Sequence, residues 1–438
     1  MNKKLQQLAI PIIIQNLLSF LSTSLDSLMM TQLDPLTFSA VMMANQVFLV
    51  VSLINGGITG SLNVLVSQYY GRRDHKSIRT ITGNALFTAL ILIGLIEAVC
   101  FLFPEMVMSL LSNDEKVIMI ASRYLRLVSI SYLPYALSSV VYEALKAIHE
   151  VKFPVRLAIM TMACNGVLNY VLIFGNCGFA AYGVDGAAIA TLVARIIELA
   201  CVSVYLGRKG YFTKSKAASE RSLRTLYLKT AVPVIANELL WAFGDSILLG
   251  FVGRISREAL EVYSIFTLLG QAASIINNGL ISAVCIYLGN LIGSAQDVRG
   301  EMKMIRRVSL LSALTAGAII CLYIPFLGPV NHLQGDTLIL ARMILLEGMI
   351  IQPFSCLQSL NTMGILRGFG DIRFGFYNDI IFLYLYTIPL VWVLIRFADP
   401  AFVFLFPIIR SDQVIKFFTS DYRIASQLKK GPIHSLTC

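Results

Sequence analysis

The sequence predicts an all-α integral membrane protein of about twelve transmembrane helices in two six-helix lobes related as a parallel repeat. Three observations carry this prediction. Apolar runs of bilayer length recur along the chain, the basic residues between them fall on alternate loops, and the two halves share residues at one constant spacing.

The apolar runs follow from composition. Of 438 residues, 57% are hydrophobic and 14% charged, with a mean hydropathy of +0.74. Soluble globular chains carry about 25% charged residues, so this chain lacks the polar surface to cover a water-soluble body of its size. A hydrocarbon core about 30 Å thick needs roughly 20 apolar residues per helical span, and Leu86 to Phe103 and Ser309 to Leu327 are runs of that kind. Hydropathy places spans near 8–30, 44–66, 81–103, 123–145, 156–175, 185–206, 226–251, 262–290, 308–327, 338–364, 374–396 and 401–418. The last is short and interrupted by Pro407, Arg410 and Asp412, so it reads as a strained twelfth helix or an interfacial segment. Lys3 and Lys4 lead straight into a full span with no small-residue cleavage site, so the N-terminus is expected to stay uncleaved and inserted. The eight cysteines are scattered without a Cys-x-x-Cys pair and read as small apolar fillers.

The basic residues set the orientation. One set of loops holds Arg72, Arg73, Lys76 and Arg79; Lys146, Lys152 and Arg156; Arg208, Lys209, Lys214, Lys216, Arg221 and Arg224; Arg299, Lys303, Arg306 and Arg307; and Arg367 and Arg373. Both termini join that set. The opposite loops hold Lys116, Arg254, Arg257 and Arg396, a ratio of about 24 to 4. Basic loops stay in the cytoplasm, so both termini are expected there, in a bacterial inner membrane. The same rule accounts for the net charge of +10 without invoking nucleic acid.

The repeat divides the chain. Pro11 and Pro233, Ser24 and Ser246, Asn55 and Asn277, Gly57 and Gly279, and Gly71 and Gly293 are each 222 residues apart. The expected organisation is an N-lobe over 1–206, a cytoplasmic linker over 207–225 and a C-lobe over 226–438. Six spans return the chain to its starting side, so the lobes insert in one orientation. Such a parallel repeat has a natural substrate cleft at its interface.

Several function classes are excluded by what the chain lacks. No Gly-x-x-x-x-Gly-Lys phosphate loop is present, so no nucleotide-hydrolysing domain drives it. The four histidines have no metal-ligand spacing, and nothing resembles an enzyme centre. No cofactor is expected. The expected partners are small organic molecules and the lipid bilayer, not nucleic acid, with a monomer as the working unit.

Polar groups inside spans are the informative residues, because ionisable groups at membrane depth are costly and face a cavity or the bundle interior. Asp26 is the only acid of span 1, with no basic residue in that span to neutralise it. A carboxyl there can load and unload a proton, and can equally bind Na⁺, a hard cation that prefers oxygen. Asn165 and Asn169 are four residues apart on one face of span 5. They offer two neutral oxygens, or else ordinary interhelical hydrogen bonds. In the second half, Glu238, Gln271, Asn277 and Glu347 form a possible substrate or ion site, with Asn278, Asp379 and, in span 4, Glu143 as further polar groups. Arg195 and Glu198, three apart on span 6, read as a local ion pair.

At these residues the chain resembles the multidrug and toxic compound extrusion (MATE) family, in its bacterial, NorM-like branch. The likeness rests on Pro11 followed by Leu25-Asp-Ser-Leu-Met-Met in span 1, and on Gln68-Tyr-Tyr-Gly-Arg-Arg after span 2. It continues through Asn165-Gly-Val-Leu-Asn in span 5, Gly183-Val-Asp-Gly-Ala-Ala-Ile-Ala-Thr before span 6 and Leu366-Arg-Gly-Phe-Gly-Asp after span 10. The resemblance implies an antiporter that exports organic, often cationic, compounds in exchange for H⁺ or Na⁺. It implies a cation-coupling site at Asp26, Asn165, Asn169 and Thr191, with Na⁺ possible at the first three, and it matches Glu238 to an acid that some members use. Two departures stand out: the polar last span, and Lys146-Ala-Ile-His-Glu where the family usually has Gly-x-Gly-Asp. The alternative is a flippase of lipid-linked saccharides from the same broad superfamily. Such proteins carry strongly basic central cavities, whereas this chain has few Arg or Lys inside its spans.

Overall fold

The computed structural model describes residues 3–209, 220–398 and 400–429. Lys214 and Lys216 of the basic linker lie outside the described residues. Everything described is helix and short connection, with no strand among those residues. In chain order the helices are α1 (Lys3–Met30), α2 (Pro35–Gly71), α3 (His75–Leu102), α4 (Pro104–Ser109), α5 (Glu115–Ser129), α6 (Tyr132–Ala147), α7 (Lys152–Phe174), α8 (Gly183–Lys209), α9 (Glu220–Ile255) and α10 (Arg257–Ala273). There follow α11 (Ile275–Gly293), α12 (Arg299–Tyr323), α13 (Leu327–Asn331), α14 (Gly335–Ser359), α15 (Arg367–Phe369), α16 (Ile372–Asp379), α17 (Ile388–Phe397), α18 (Phe402–Ile409) and α19 (Ser411–Lys429). Leu360–Leu366 and Ile380–Thr387 are π-helical and lead into α15 and α17.

The connections are short and capped. Asp34 accepts from the amides of Leu36 and Thr37 ahead of Pro35 at the start of α2, and Asp114 and Ser256 cap α5 and α10 in the same way. Side-chain acceptors at these positions satisfy amides that a helix start leaves open.

Ten helices among the described residues are long and apolar enough to cross a membrane. Three of the twelve apolar runs are broken. The 123–145 run is split between α5 and α6 at Ile130 and Ser131, where Pro134 has no amide to donate to the Ile130 carbonyl. The 262–290 run bends at Ser274 between α10 and α11. The 401–418 run breaks at Arg410, and α19 continues it to Lys429, well beyond the expected end.

The chain forms two compact units. One is Ile14–Ile235; the other is Met1–Ile13 together with Ala236–Cys438. Both boundaries lie inside helices, two residues beyond Pro11 and Pro233. In the first unit α2 packs on α3, α5 and α6, and α7 on α8. A Cβ on Gly57 of α2 would lie 2.5 Å from the Ile235 Cα, so only glycine lets these helices approach so closely. In the second unit α12 packs on α14 and α14 on α19. There Gly279 of α11 faces Ile13 in the same way. These pairs repeat the 222-residue spacing. The second unit's core joins Tyr263, Phe266, Ile344, Phe402 and Phe406. Many large apolar side chains remain exposed, among them Leu28, Leu95, Leu311 and Ile350, as expected of helices solvated by lipid.

Candidate functional site

The Ile14–Ile235 unit holds a partly open cavity of about 620 Å³ lined from α1, α2, α5, α6, α7 and α8. Asp26, Asn169 and Thr191 line it, and Asn165 lies directly behind Asn169. The Asn169 Nδ2 donates to Asp26 Oδ1 at 2.6 Å and to Asn165 Oδ1 at 3.2 Å. Asn165 and Asn169 are buried, and the Asn169 Oδ1 is buried without a protein partner.

Close helix packing places these groups. The Tyr182 amide donates to the Leu172 carbonyl at 2.9 Å, and Gly175 ends α7 in the left-handed conformation with φ 72°. Any Cβ on Gly186 would strike the Leu172 backbone. With buried Ala187, Ala188 and Ala190 beside it, α8 lies tight on α7 and brings Thr191 to the cavity that Asn169 lines. Small residues at such a seam let helix backbones approach closely.

Three carboxylates face the cavity, and their partners differ. Glu198 Oε2 pairs with Arg195 at 2.7 Å, and its Oε1 accepts from the Tyr142 hydroxyl at 2.6 Å. The Arg195 guanidinium also lies 5.0 Å from the Tyr135 ring centroid. Glu143 pairs with Lys146 at 2.6 Å and accepts from Asn63 at 3.3 Å. Asp26 is the one of the three with no ion pair among the described residues.

The second unit treats its candidates separately. Glu238 forms an ion pair with Arg367 at 2.9 Å, both largely buried. Asn277 donates to the Cys356 carbonyl at 3.1 Å and accepts from the Ser312 hydroxyl at 3.2 Å. Gln271 is exposed on α10. Glu347 is half-buried, with its Oε2 unpartnered. Each of the four therefore has its own surroundings, and no hydrogen bond among the described residues joins one to another.

Residues 11–171 match the MatE family model. A "Probable multidrug resistance protein NorM" of Agrobacterium fabrum is 26% identical over 388 residues, covering 84% of this chain and 81% of the relative. Another of that name, from Thermotoga maritima, is 22% identical over 400 residues, covering 90% and 86%. Over most of its length the chain is thus similar to multidrug resistance proteins, and its first part to the MATE family. That family is one of membrane transporters, not of enzymes. The fold agrees: a solved structure of a mutant form of the Vibrio cholerae MATE transporter VcmN superposes with a TM-score of 0.86 at 18% identity, covering 98% of each chain.

Sequence reasoning missed a charged cluster in the C-terminal unit. Lys416 of α19 lies 2.7 Å from Asp379 and 2.8 Å from Asp412, and its side chain is 1% exposed. The Asp412–Lys416 spacing of four was the available signal, hidden because the segment reads as the frayed end of a weak span. Arg410, which does interrupt the last run, also pairs with Asp245 at 3.3 Å and lies 5.1 Å from the Tyr263 ring centroid. Glu97, to which the sequence assigned nothing, accepts from the Leu133 amide at 2.9 Å and so holds the start of α6.

Proposed function

We propose that this protein is a multidrug efflux antiporter of the bacterial inner membrane, with both termini in the cytoplasm, exporting organic and often cationic compounds in exchange for H⁺ or Na⁺. The observation that carries the reading is the unpaired Asp26 carboxylate in the cavity wall, hydrogen-bonded to Asn169 beside two carboxylates that already hold their own cations. An incoming cation finds a free negative charge at Asp26 and at neither of the others. Ionisable groups at membrane depth mark ion pathways.

The residues divide the work. Asp26 takes the proton or Na⁺. Asn169, donating to the ionised carboxylate and carrying a free Oδ1, serves either state of the site by turning its amide. Asn165 holds that amide from behind, and Thr191 adds a hydroxyl from α8. Loading neutralises the site and favours cargo release to the outside, and ion release to the cytoplasm resets it. The multidrug naming of the relatives from Agrobacterium fabrum and Thermotoga maritima supports the class of cargo.

The test is Asp26→Asn, which keeps size and hydrogen bonding while removing the charge. Cells expressing it are expected to lose gradient-driven dye efflux and drug resistance, with the protein inserted at wild-type level. Full efflux by this variant would refute the assignment. Wild-type efflux measured with a proton gradient alone and with a sodium gradient alone then identifies the ion.

A further inference from the structure

A second concavity in the Ile14–Ile235 unit shares no residue with the Asp26 cavity. It is a groove of about 260 Å³ between α3 and the first half of α9. Phe87 and Ile91 of α3 and Leu228 and Val232 of α9 form its walls, and all four are exposed. One end is polar. Arg224 lies there with its guanidinium carbon 5.7 Å from the Phe87 ring centroid, and no acidic side chain among the described residues pairs with it. Asn84 lines the same end, and its buried Nδ2 has no protein acceptor.

Both helices begin beside cationic loops, so Asn84 of α3 and Arg224 of α9 are the lining residues of each helix nearest those loops. From Arg224 to Ile235, the far end, is eleven residues, or about 16 Å at 1.5 Å per residue. That is close to half of a hydrocarbon core about 30 Å thick, the depth of one leaflet. An apolar groove of that length, with a guanidinium that no acidic side chain among the described residues pairs and an unfilled amide donor at one end, has the length and polarity to seat one acyl chain with its phosphate. Arg pairs well with phosphate because its planar donors match the phosphate oxygens. The walls exclude a fully polar ligand, and the positive end selects a net negative headgroup.

We infer that this groove binds an anionic glycerophospholipid of the leaflet on the side of the basic loops, with phosphate on Arg224 and Asn84 and one acyl chain between α3 and α9. The site does not depend on what the Asp26 cavity transports.

The experiment uses the full chain, purified in a non-ionic detergent, stripped of lipid and then given phosphatidylglycerol or phosphatidylcholine, with bound lipid counted by native mass spectrometry. One phosphatidylglycerol is expected to be retained about tenfold more strongly than phosphatidylcholine, the ratio for one charge-assisted contact of modest strength. Arg224→Gln is expected to abolish that preference. Val232→Trp, which fills the channel, is expected to lower retention of both lipids. Lys229→Gln, one exposed cation on the same helix that does not line the groove, is expected to change nothing. Equal retention of the two lipids by the wild type, undiminished preference in Arg224→Gln, or an equal loss in Lys229→Gln would each overturn the inference. Arg224 and Val232 are exposed, and should Val232→Trp fail to fold, Arg224→Gln decides alone.

Discussion

Lys416→Met is expected to be the most destabilising single charge substitution in the chain. The ammonium lies 2.7 Å from Asp379 and 2.8 Å from Asp412, and the lysine and Asp412 side chains are 1% and 2% exposed. At an effective dielectric of 20, each contact amounts to about 6 kcal/mol of attraction, most of it offset by the cost of removing three charges from water. The net loss is governed by what remains. Deleting one partner of a buried pair costs about 3–5 kcal/mol because it strands the other charge. Lys416 is the shared cation of two carboxylates, which places Lys416→Met near the top of that range, about 5 kcal/mol. Methionine preserves the apolar stem, so little packing is lost. The assay is reversible unfolding in mixed micelles, comparing wild type, Lys416→Met, and the triple variant that adds Asp379→Asn and Asp412→Asn. The triple variant removes the stranded charge and is expected to recover most of the loss. Two results would refute the reasoning: a Lys416→Met variant within about 1 kcal/mol of wild type, below the range for a buried pair, or a triple variant no more stable than the single one.

Gly57→Val and Gly279→Val force a side chain against Ile235 and Ile13; each is expected to lower stability by about 3 kcal/mol in a melting experiment, whereas Gly56→Ala, with open space at its Cβ, is silent. Glu238→Gln strips the carboxylate from Arg367 and is expected to cost about 2 kcal/mol, with Arg367→Gln similar and the double variant costing less than the sum, as contacting residues do in a double-mutant cycle. Asp34 is fully exposed, and the Thr37 hydroxyl and the Thr37 and Leu36 amides hold its carboxyl below the usual aspartate range. Its cap therefore acts above about pH 3.9, the unfolded value, and is lost as pH falls through the lower folded value. Hydrogen exchange at Leu36 and Thr37 is expected to quicken in Asp34→Ala at pH 7, while wild type shows no loss of protection attributable to the cap between pH 7 and pH 5.

What could be read from the sequence was what depends on one helix at a time. Span-length apolar runs, the Asn165–Asn169 face and the Arg195–Glu198 pair need only local periodicity, and the helices and hydrogen bonds are there. The glycine repeat was legible too, although its physical meaning, contact with Ile235 and Ile13, was not. Partners distant in the chain were hidden. Glu238 looked like a free acid until Arg367, 129 residues away, appeared beside it. Asp379 likewise found its cation on α19. The helix break at Ile130 escaped notice because hydropathy averages over Pro134 without registering the carbonyl that it leaves open, whereas the break at Arg410 falls where the sequence already showed an interruption.

The composition of the second compact unit sets a timetable for biosynthesis. Its first thirteen residues leave the ribosome more than two hundred residues before Ala236, where the rest of that unit begins. At about 5–20 residues per second the wait is roughly 10–45 s. Throughout it Leu5, Leu8, Ala9 and Ile12, later almost wholly enclosed, have no native neighbours from their own unit. A water-soluble chain would risk clumping in that interval. Here the surrounding hydrocarbon shelters the four side chains until the later half of the polypeptide arrives.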